Sequence, residues 1–307
     1  MLYDKYNIVS KNEFGIPYSE IISSPKKHLN NLLLNYRIDD MIDINYSLSV
    51  MSFDRVVHIM DLYLAGQIFF QKIISCYKEK YVLSGNAWEL LSLVHDISYY
   101  FESVNLSSSF SSLEDICKRM KLIPFFSNEN VVFYSAKTYH NYFNYKREQF
   151  GICDHGIIAS LLFENKYSNE LITEKKEIAY VIASHNIFVA SRHNISLYEK
   201  FGLFELIPDD PVFNCIAEKN NPYAFLYLYF CLLDILEPIN AFDCTSSEEV
   251  FDLLNSIDYD FIDKSLIIKA KNKKQLETIA ARIFDIPIWL KVGLNILSDD
   301  TIIITMN

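Results

Sequence analysis

Apolar residues recur at helical spacing from Asp54 to Tyr81, and this run constrains the fold more than any other segment. Val57, Met60, Leu64 and Ile68 would form one apolar stripe along a helix. The chain has only 7 Gly and 8 Pro among its 307 residues, and such scarcity favours long helices over a turn-rich β fold. We therefore expect a mainly α protein.

Helices are also expected in five other segments, which are residues 28–36, 86–101, 157–163, 175–190 and 222–236. Ser112 precedes Glu114 and Asp115, which is a capping signal for a helix that follows a serine-rich loop. The prolines at 208–211 predict a turn.

The chain changes character after about Ser246. Strands are expected over 265–270 and 301–305, with an amphipathic helix over 273–284 between them. The predicted organisation is a helical extension over residues 1–49, a helical core over 50–245 with an insertion at 104–150, and a small C-terminal α+β appendage over 246–307.

The charge balance limits the partners that the chain can bind. A formal net charge of −11 argues against an open face for duplex nucleic acid, since such a face normally needs a basic patch. A small phosphorylated ligand remains compatible, because a bound dication supplies positive charge locally.

Cysteine usage and the apolar stretches predict the compartment. The six cysteines show no zinc-type spacing, and those at positions 76, 117, 215 and 231 have apolar neighbours. The N-terminus lacks a charged segment followed by an apolar one, and Tyr223–Leu236 is too short to span a bilayer. We expect a soluble, cytoplasmic protein with reduced thiols and no membrane partner. A homo-oligomer is compatible with the sequence.

Six histidine and aspartate side chains stand within or beside the apolar helical runs. They are His58, His95, Asp96, His155, His185 and Asp234. Burying so many polar groups among apolar neighbours is costly unless something binds them, and a metal centre is the economical explanation. Four imidazoles and two carboxylates suit Mn²⁺, Fe²⁺, Zn²⁺ or Co²⁺ better than Ca²⁺, which prefers oxygen ligands. The candidate ions are Mn²⁺, Fe²⁺, Zn²⁺, Co²⁺ and Mg²⁺.

Taken in order along residues 50 to 245, these six residues resemble the ligands of the HD-domain metal-dependent phosphohydrolases. That family carries a histidine, an adjacent His-Asp pair, two further histidines in its two-metal members and a closing aspartate. The local contexts fit as well, and they are Val94–Ile97, Cys153–Ile157, Ala183–Asn186 and Leu232–Ile235.

The resemblance implies an HD-type helical bundle and two divalent ions. It implies that His58, His95, Asp96 and Asp234 hold one ion, and that Asp96, as a catalytic residue, bridges to a second ion held by His155 and His185. Two ions about 4 Å apart can activate a water molecule and clamp a phosphoryl group for in-line attack.

The chain departs from the family pattern in three places. His95-Asp96 continues into Ile97-Ser98-Tyr99 without the lysine that many relatives carry. No Gly-Tyr-Pro motif occurs, which argues against a cyclic-di-GMP hydrolase and leaves the leaving-group acid unidentified. Asn186 follows His185 where some relatives have a second histidine, which argues against a third ion.

Phosphate recognition needs cations, and Arg147 and Arg192 are the candidates closest in sequence to the ligands. A guanidinium can grip two phosphate oxygens at once. The alternative is a surface arginine paired with Glu148 or Glu199, and the sequence favours neither reading.

Two interpretations are also open for Asp154 and for a set of aromatic residues. Asp154 is either a helix N-cap or a catalytic-site partner that orients a histidine, with a slight preference for the second role. Six aromatic residues could stack a nucleobase, although a packed aromatic core is the favoured reading; they are Tyr99, Tyr100, Phe101, Tyr139, Tyr142 and Phe143.

The sequence therefore predicts a metal-dependent phosphohydrolase that cleaves a nucleotide or a related phosphomonoester or phosphodiester with metal-activated water. The alternative from another class is a catalytically degenerate HD-domain sensor or protein-interaction module, which the missing lysine favours. A third and weaker reading is di-iron oxygenase chemistry on the same scaffold.

Overall fold

The computed structural model describes most of the chain. The described residues are 1–76, 86–103, 107–124, 126, 134–168, 175–187, 195–207, 222–283, 293–298 and 300–305. The protein is mainly helical, with a small antiparallel sheet near the C-terminus.

Helices form along most of these residues, from the N-terminus to the C-terminal appendage. In chain order they are α1 (Leu2–Phe14), α2 (Tyr18–Ser23), α3 (Pro25–Asn35), α4 (Ile44–Val50), α5 (Phe53–Cys76), α6 (Ala87–Val94), α7 (Leu113–Met120), α8 (Ala136–Phe150), α9 (His155–Lys166), α10 (Lys175–Ser184), α11 (Ile195–Lys200), α12 (Leu203–Leu206), α13 (Pro222–Leu236), α14 (Pro238–Phe242), α15 (Ser247–Leu254) and α16 (Lys273–Arg282). Short 3-10 helices cover Ile38–Asp40 and Tyr99–Glu102.

The chain divides into two compact units. The first comprises Met1–Asn31, Ser52–Val82 and Phe230–Asn307, and the second comprises Leu32–Met51 and Leu83–Tyr229. The three segments predicted from the sequence remain a prediction.

The first unit combines α5 with the sheet. Helices α1 and α14 pack along α5, and strand β1 (Ile257–Ile262) also contacts it. Strands β2 (Ser265–Ala270), β3 (Gly293–Ser298) and β4 (Thr301–Thr305) complete an antiparallel sheet in the order β1-β2-β4-β3.

Residues along β2 and β4 alternate between buried and more exposed positions. Leu266 and Ile268 on β2 and Ile302 and Ile304 on β4 are buried, while the residues between them are partly or fully exposed. Because side chains alternate between the two faces of a strand, one apolar face forms. Helix α16 packs on β2 and β4.

The second unit is built around α9 and α10. These helices pack on each other, α6 contacts both, and the 3-10 helix Tyr99–Glu102 contacts α9. Ile157–Phe163 in α9 and Ile178–Ser184 in α10 are buried without interruption. Helical segments that are apolar on all sides belong in a core. The His155 end of α9 and the Ser184 end of α10 are buried with them.

The helix predicted over 86–101 ends earlier than expected. Helix α6 stops at Val94, and His95–Ser98 form a turn with tighter bonds, from Ile97 N to the Val94 carbonyl (3.2 Å) and from Tyr99 N to the Asp96 carbonyl (2.9 Å). Adjacent residues on an α-helix point in different directions. The turn instead lets the neighbouring side chains of His95 and Asp96 approach each other.

Predictions for a further helix, a turn and the cysteines can also be compared with the structure. The helix predicted over 175–190 ends at Ser184, so His185 follows it directly, and residues 188–190 lie outside the described part. The turn predicted at 208–211 also lies outside it. Cys117 and Cys231 are buried free thiols, as predicted, whereas Cys215 and the side chain of Cys76 are outside the described part of the chain.

Among the described residues, every helix is too short or too polar to cross a membrane.

Candidate metal centre

Three ligand-type side chains meet in the core of the second unit. Nε2 of His155 lies 2.9 Å from Oδ1 of Asp96 and 3.3 Å from Nε2 of His185. All three side chains are buried. One donor atom from each lies within 4.8 Å of the others, so this group could hold a metal ion.

The hydrogen bonds of the Nδ1 atoms indicate which ring nitrogen of His155 and of His185 can bind a metal. Nδ1 of His185 is 2.6 Å from the Ile182 carbonyl oxygen, and Nδ1 of His155 is 2.6 Å from Oε1 of Glu102. A carbonyl or carboxylate oxygen accepts a hydrogen bond, so each Nδ1 carries the proton. In the neutral ring each Nε2 then directs its lone pair at the other histidine and at Asp96.

His95 is held in the same way. Its Nδ1 donates to the Ser92 carbonyl oxygen at 2.9 Å, and its Nε2 lies 3.5 Å from Oδ2 of Asp96. The ring also stands edge-on to the ring of His185, with centroids 5.3 Å apart. Three imidazoles of the second unit therefore present Nε2 to one buried region around Asp96.

Local sequence explains why His155 begins its helix at this place. Gly151 adopts a left-handed conformation (φ 69°) that ends α8, and Asp154 starts α9 three residues later. Oδ1 of Asp154 accepts from Ile157 N at 3.0 Å, which caps the helix. The Ser98 hydroxyl donates to the His155 carbonyl at 2.7 Å and so ties the turn after His95-Asp96 to the start of α9.

His155 has two further polar neighbours. Nδ2 of Asn186 lies 3.0 Å from its Nε2, and Glu102, which was not identified from the sequence, contacts its Nδ1. Burial alone would lower the pKa of His155, but the charges of Glu102 and Asp96 and their hydrogen bonds raise it to about 10. Burial would raise the pKa of Glu102, yet the charge and hydrogen bond of His155 hold it below its usual value. Without a metal, His155 is therefore a cation between two carboxylates.

The donor set of this group fits a first-row dication. Two imidazole nitrogens and a carboxylate oxygen make three protein ligands, which leaves coordination positions open for water or substrate. The buried site contains few oxygen donors, and Ca²⁺ prefers a shell made mainly of oxygen.

The remaining two predicted ligands lie in the first unit, where they form a hydrogen-bonded group of their own. His58 on α5 places Nε2 3.0 Å from Oδ1 of Asp234, and its Nδ1 is 2.9 Å from Oε2 of Glu237. Burial opposes protonation of His58, but the hydrogen bonds to both carboxylates raise its pKa to about 10. Convergence of all six predicted ligands on one two-metal centre remains a prediction.

A buried acidic neighbourhood surrounds this first-unit group. Burial and the charge of Glu237 raise the pKa of Asp61 well above its usual value, although the hydroxyl of Tyr18 donates to Oδ1 of Asp61 at 2.6 Å. His58 and Asp61 are three residues apart on α5 and so lie on the same face of the helix. Neither Asp61 nor Glu237 was identified from the sequence, because a lone acidic residue in an apolar run gives no distinct signal.

The structure places Asp154 and Arg147 in contacts that maintain the fold. Asp154 is the N-cap of α9, and its Oδ2 is 3.8 Å from Nζ of Lys146. Arg147 donates to the Ser107 carbonyl oxygen at 3.4 Å and contacts Sγ of Cys153 at 3.7 Å. The expected partner Glu148 instead pairs with Lys200.

A phosphate-binding role for Arg147 remains a prediction, and Arg192 lies outside the described residues. Most of the aromatic candidates pack in the core. Phe101, Tyr139, Tyr142 and Phe143 are buried, and Tyr139 stacks on Phe126 with centroids 4.5 Å apart. Tyr99 is half-buried against the His155 ring, with centroids 5.0 Å apart.

Comparison of the chain with protein-family models, with curated proteins and with solved structures finds no match. The resemblance to the HD-domain phosphohydrolases therefore rests on the types of the six histidine and aspartate residues and on their order along the chain.

Proposed function

We propose that this protein is a metal-dependent phosphohydrolase that cleaves a nucleotide or a related phosphoester. One observation carries the proposal, namely that Nε2 of His155 and Nε2 of His185 face each other and the Asp96 carboxylate inside a protein core. Once Nε2 of His155 gives up its proton, these three donor atoms can hold a divalent cation away from solvent.

The protein side chains have defined tasks in this proposal. Asp96 supplies negative charge that offsets a dication, and Glu102 and the Ile182 carbonyl keep the two imidazole rings in their ligating orientation. A divalent ion bound there would supply a water molecule of lowered pKa and polarise a phosphoryl oxygen. Burial of the group limits competing water around the reacting phosphate.

The resemblance in residue order extends the proposal to an HD-type bundle with two ions, in which His58 and Asp234 would help to hold the ion that His155 and His185 do not bind. This extension has its own test in a metal titration. A wild type that binds two equivalents should bind one after His58→Ala. A wild type that binds a single equivalent would restrict the proposal to one ion, and two equivalents retained by His58→Ala would show that His58 is not required as a ligand.

Hydrolysis assays test the proposed activity. The wild-type protein loaded with Mn²⁺ should hydrolyse a generic aryl phosphodiester or phosphomonoester, and a panel of nucleotides should then reveal the preferred class. His95→Ala and Asp96→Ala should abolish turnover while the protein stays folded and helical. His140→Ala is the matched control, because His140 lies in the same unit and pairs with exposed Glu114. Hydrolysis that persists in a metal-free His95→Ala/Asp96→Ala double variant would reject the proposal.

A second candidate function is a sensor or interaction module on the same scaffold. The observation that favours it is the closed ion-paired chain Glu102–His155–Asp96, which satisfies His155 without any metal. The two candidates differ in their metal content as purified and in hydrolysis after Mn²⁺ is added. A folded protein that binds no metal and turns over no phosphoester would support the module.

A further inference from the structure

Glu102 joins the 3-10 helix Tyr99–Glu102 to the first residue of α9. Its Oε1 lies 2.6 Å from Nδ1 of His155 and 3.4 Å from the backbone N of the same residue. Ser98, at the start of the same turn, donates its hydroxyl to the His155 carbonyl at 2.7 Å. His155 is therefore held on its ring, its amide and its carbonyl by one short segment.

Of these three contacts, only the hydrogen bond to the ring determines where Nε2 of His155 points. With Nδ1–H fixed on Glu102, the ring cannot rotate without breaking a short charge-assisted hydrogen bond. Nε2 is consequently held 2.9 Å from Oδ1 of Asp96 and 3.3 Å from Nε2 of His185. A carboxylate behind a ligating histidine also increases the basicity of the nitrogen that binds the metal.

The Nδ1 hydrogen bonds of His155 and His185 end on acceptors of different charge. Nδ1 of His185 donates to a neutral backbone carbonyl, that of Ile182, whereas His155 donates to a carboxylate that is mostly buried. Burial keeps the negative charge of Glu102 unscreened, so its effect on Nε2 is larger than that of a carbonyl dipole.

We propose that Glu102 is the positioning residue of this centre, orienting His155 and increasing its affinity for a divalent ion through the Nδ1 hydrogen bond. The proposal rests on the proposed function, because it requires that His155 bind a metal. Glu102 itself is not a ligand in this proposal, since its oxygen lies on the far side of the His155 ring from Asp96 and His185.

The test measures the affinity for Co²⁺ in the full chain by competition with a chromophoric chelator. Glu102→Ala should weaken binding by about 10- to 100-fold. Glu102→Gln keeps an oxygen acceptor but removes the charge, and it should fall between the wild type and Glu102→Ala. Glu114→Gln is the matched control, because Glu114 also contacts Nδ1 of a histidine, His140, at 3.1 Å but on the exposed surface. It should bind Co²⁺ as the wild type does.

A spectroscopic measurement separates positioning from a general loss of structure. In the Co²⁺-loaded wild type, the ring N–H protons of His155 and His185 should appear as hyperfine-shifted, slowly exchanging proton resonances. One of them should move in Glu102→Gln and be lost to exchange in Glu102→Ala, while the other stays in place. Circular dichroism of the metal-free variants checks the fold, and the nearly isosteric Glu102→Gln serves if Glu102→Ala fails to fold.

The outcomes distinguish the two proposals. A wild-type protein that binds no Co²⁺ would contradict the proposed function, and this role of Glu102 with it. A wild type that binds Co²⁺, together with Glu102→Ala and Glu102→Gln variants of unchanged affinity and unchanged resonances, would overturn only the role of Glu102.

Discussion

The backbone of Gly156 lies against the ring of His185, so that a Cβ atom on Gly156 would stand 2.7 Å from Cε1 of His185 and 2.9 Å from the Ile182 carbonyl oxygen. Only a residue without a side chain allows the start of α9 to approach the end of α10 this closely. The glycine that follows His155 therefore sets the separation of two candidate ligands.

Gly156→Ala should lower the free energy of unfolding by about 1–3 kcal/mol, because one contact is with backbone that cannot move aside easily. It should also weaken metal binding by shifting His185. Urea unfolding and a Co²⁺ titration measure the two effects. In the double variant Gly156→Ala/His185→Ala the stability costs should be less than additive, because the ring contact is gone and the Ile182 contact remains. Strict additivity would contradict this description of the contact.

Substitutions of Asp154 should separate its capping role from a catalytic one. Asp154→Ala should lower the free energy of unfolding by about 1 kcal/mol, because the hydrogen bond to Ile157 N is lost. Asp154→Ser should recover most of that stability, since serine also caps helices. Thermal unfolding measures both. If Asp154→Ser keeps the stability and the metal but loses hydrolysis, the catalytic role predicted from the sequence is supported.

The stability of the metal-free protein should depend on pH through His155. Its pKa is about 10 in the folded chain and near 6.5 when unfolded, so between these values the folded state binds more protons than the unfolded state. The stabilisation is therefore complete below pH 6.5 and is lost as the pH rises toward 10. His58 acts with the same sign.

Urea unfolding of the wild type and of His155→Gln at pH 6, 8 and 10 tests this dependence. As the pH rises, the free energy of unfolding of the wild type should fall more steeply than that of His155→Gln. The difference should be up to about 1.4 kcal/mol per pH unit, the free-energy equivalent of one proton. Equal slopes in the two proteins would show that His155 is not held as a cation in the fold.

Metal loading at neutral pH should release protons. Nε2 of His155 carries a proton in the metal-free state and must lose it to bind an ion, so metal affinity should increase with pH. Calorimetric titrations with Co²⁺ in buffers of different ionisation enthalpy should give different heats. Identical heats in all buffers would contradict the participation of His155.

Several features of the fold could be predicted because their causes are local. The apolar spacing after Asp54 predicted α5, which begins at Phe53 and carries His58. The serine at 112 does accept from Asp115 N, at 3.2 Å, as the capping signal indicated. The strands over 265–270 and 301–305 and the helix between them are also present.

The contacts that shape the candidate centre have non-local causes and could not be predicted in this way. Glu102 and Glu237 acquire their roles from histidines that are 53 and 179 residues distant in sequence. The tight turn after Val94 depends in part on Ser98 reaching the His155 carbonyl. Strand β1 was missed because its alternating Asp258 and Asp260 are polar, although every second residue from Ile257 is buried.

Metal quantitation after loading and desalting tests the central claim most directly. We expect the wild type and His140→Ala each to retain at least one divalent ion per chain, and Asp96→Ala and His185→Ala to lose the ion bound at this centre while remaining helical. A folded wild type that retains no metal, or an Asp96→Ala/His185→Ala double variant that retains as much metal as the wild type, would contradict the claim.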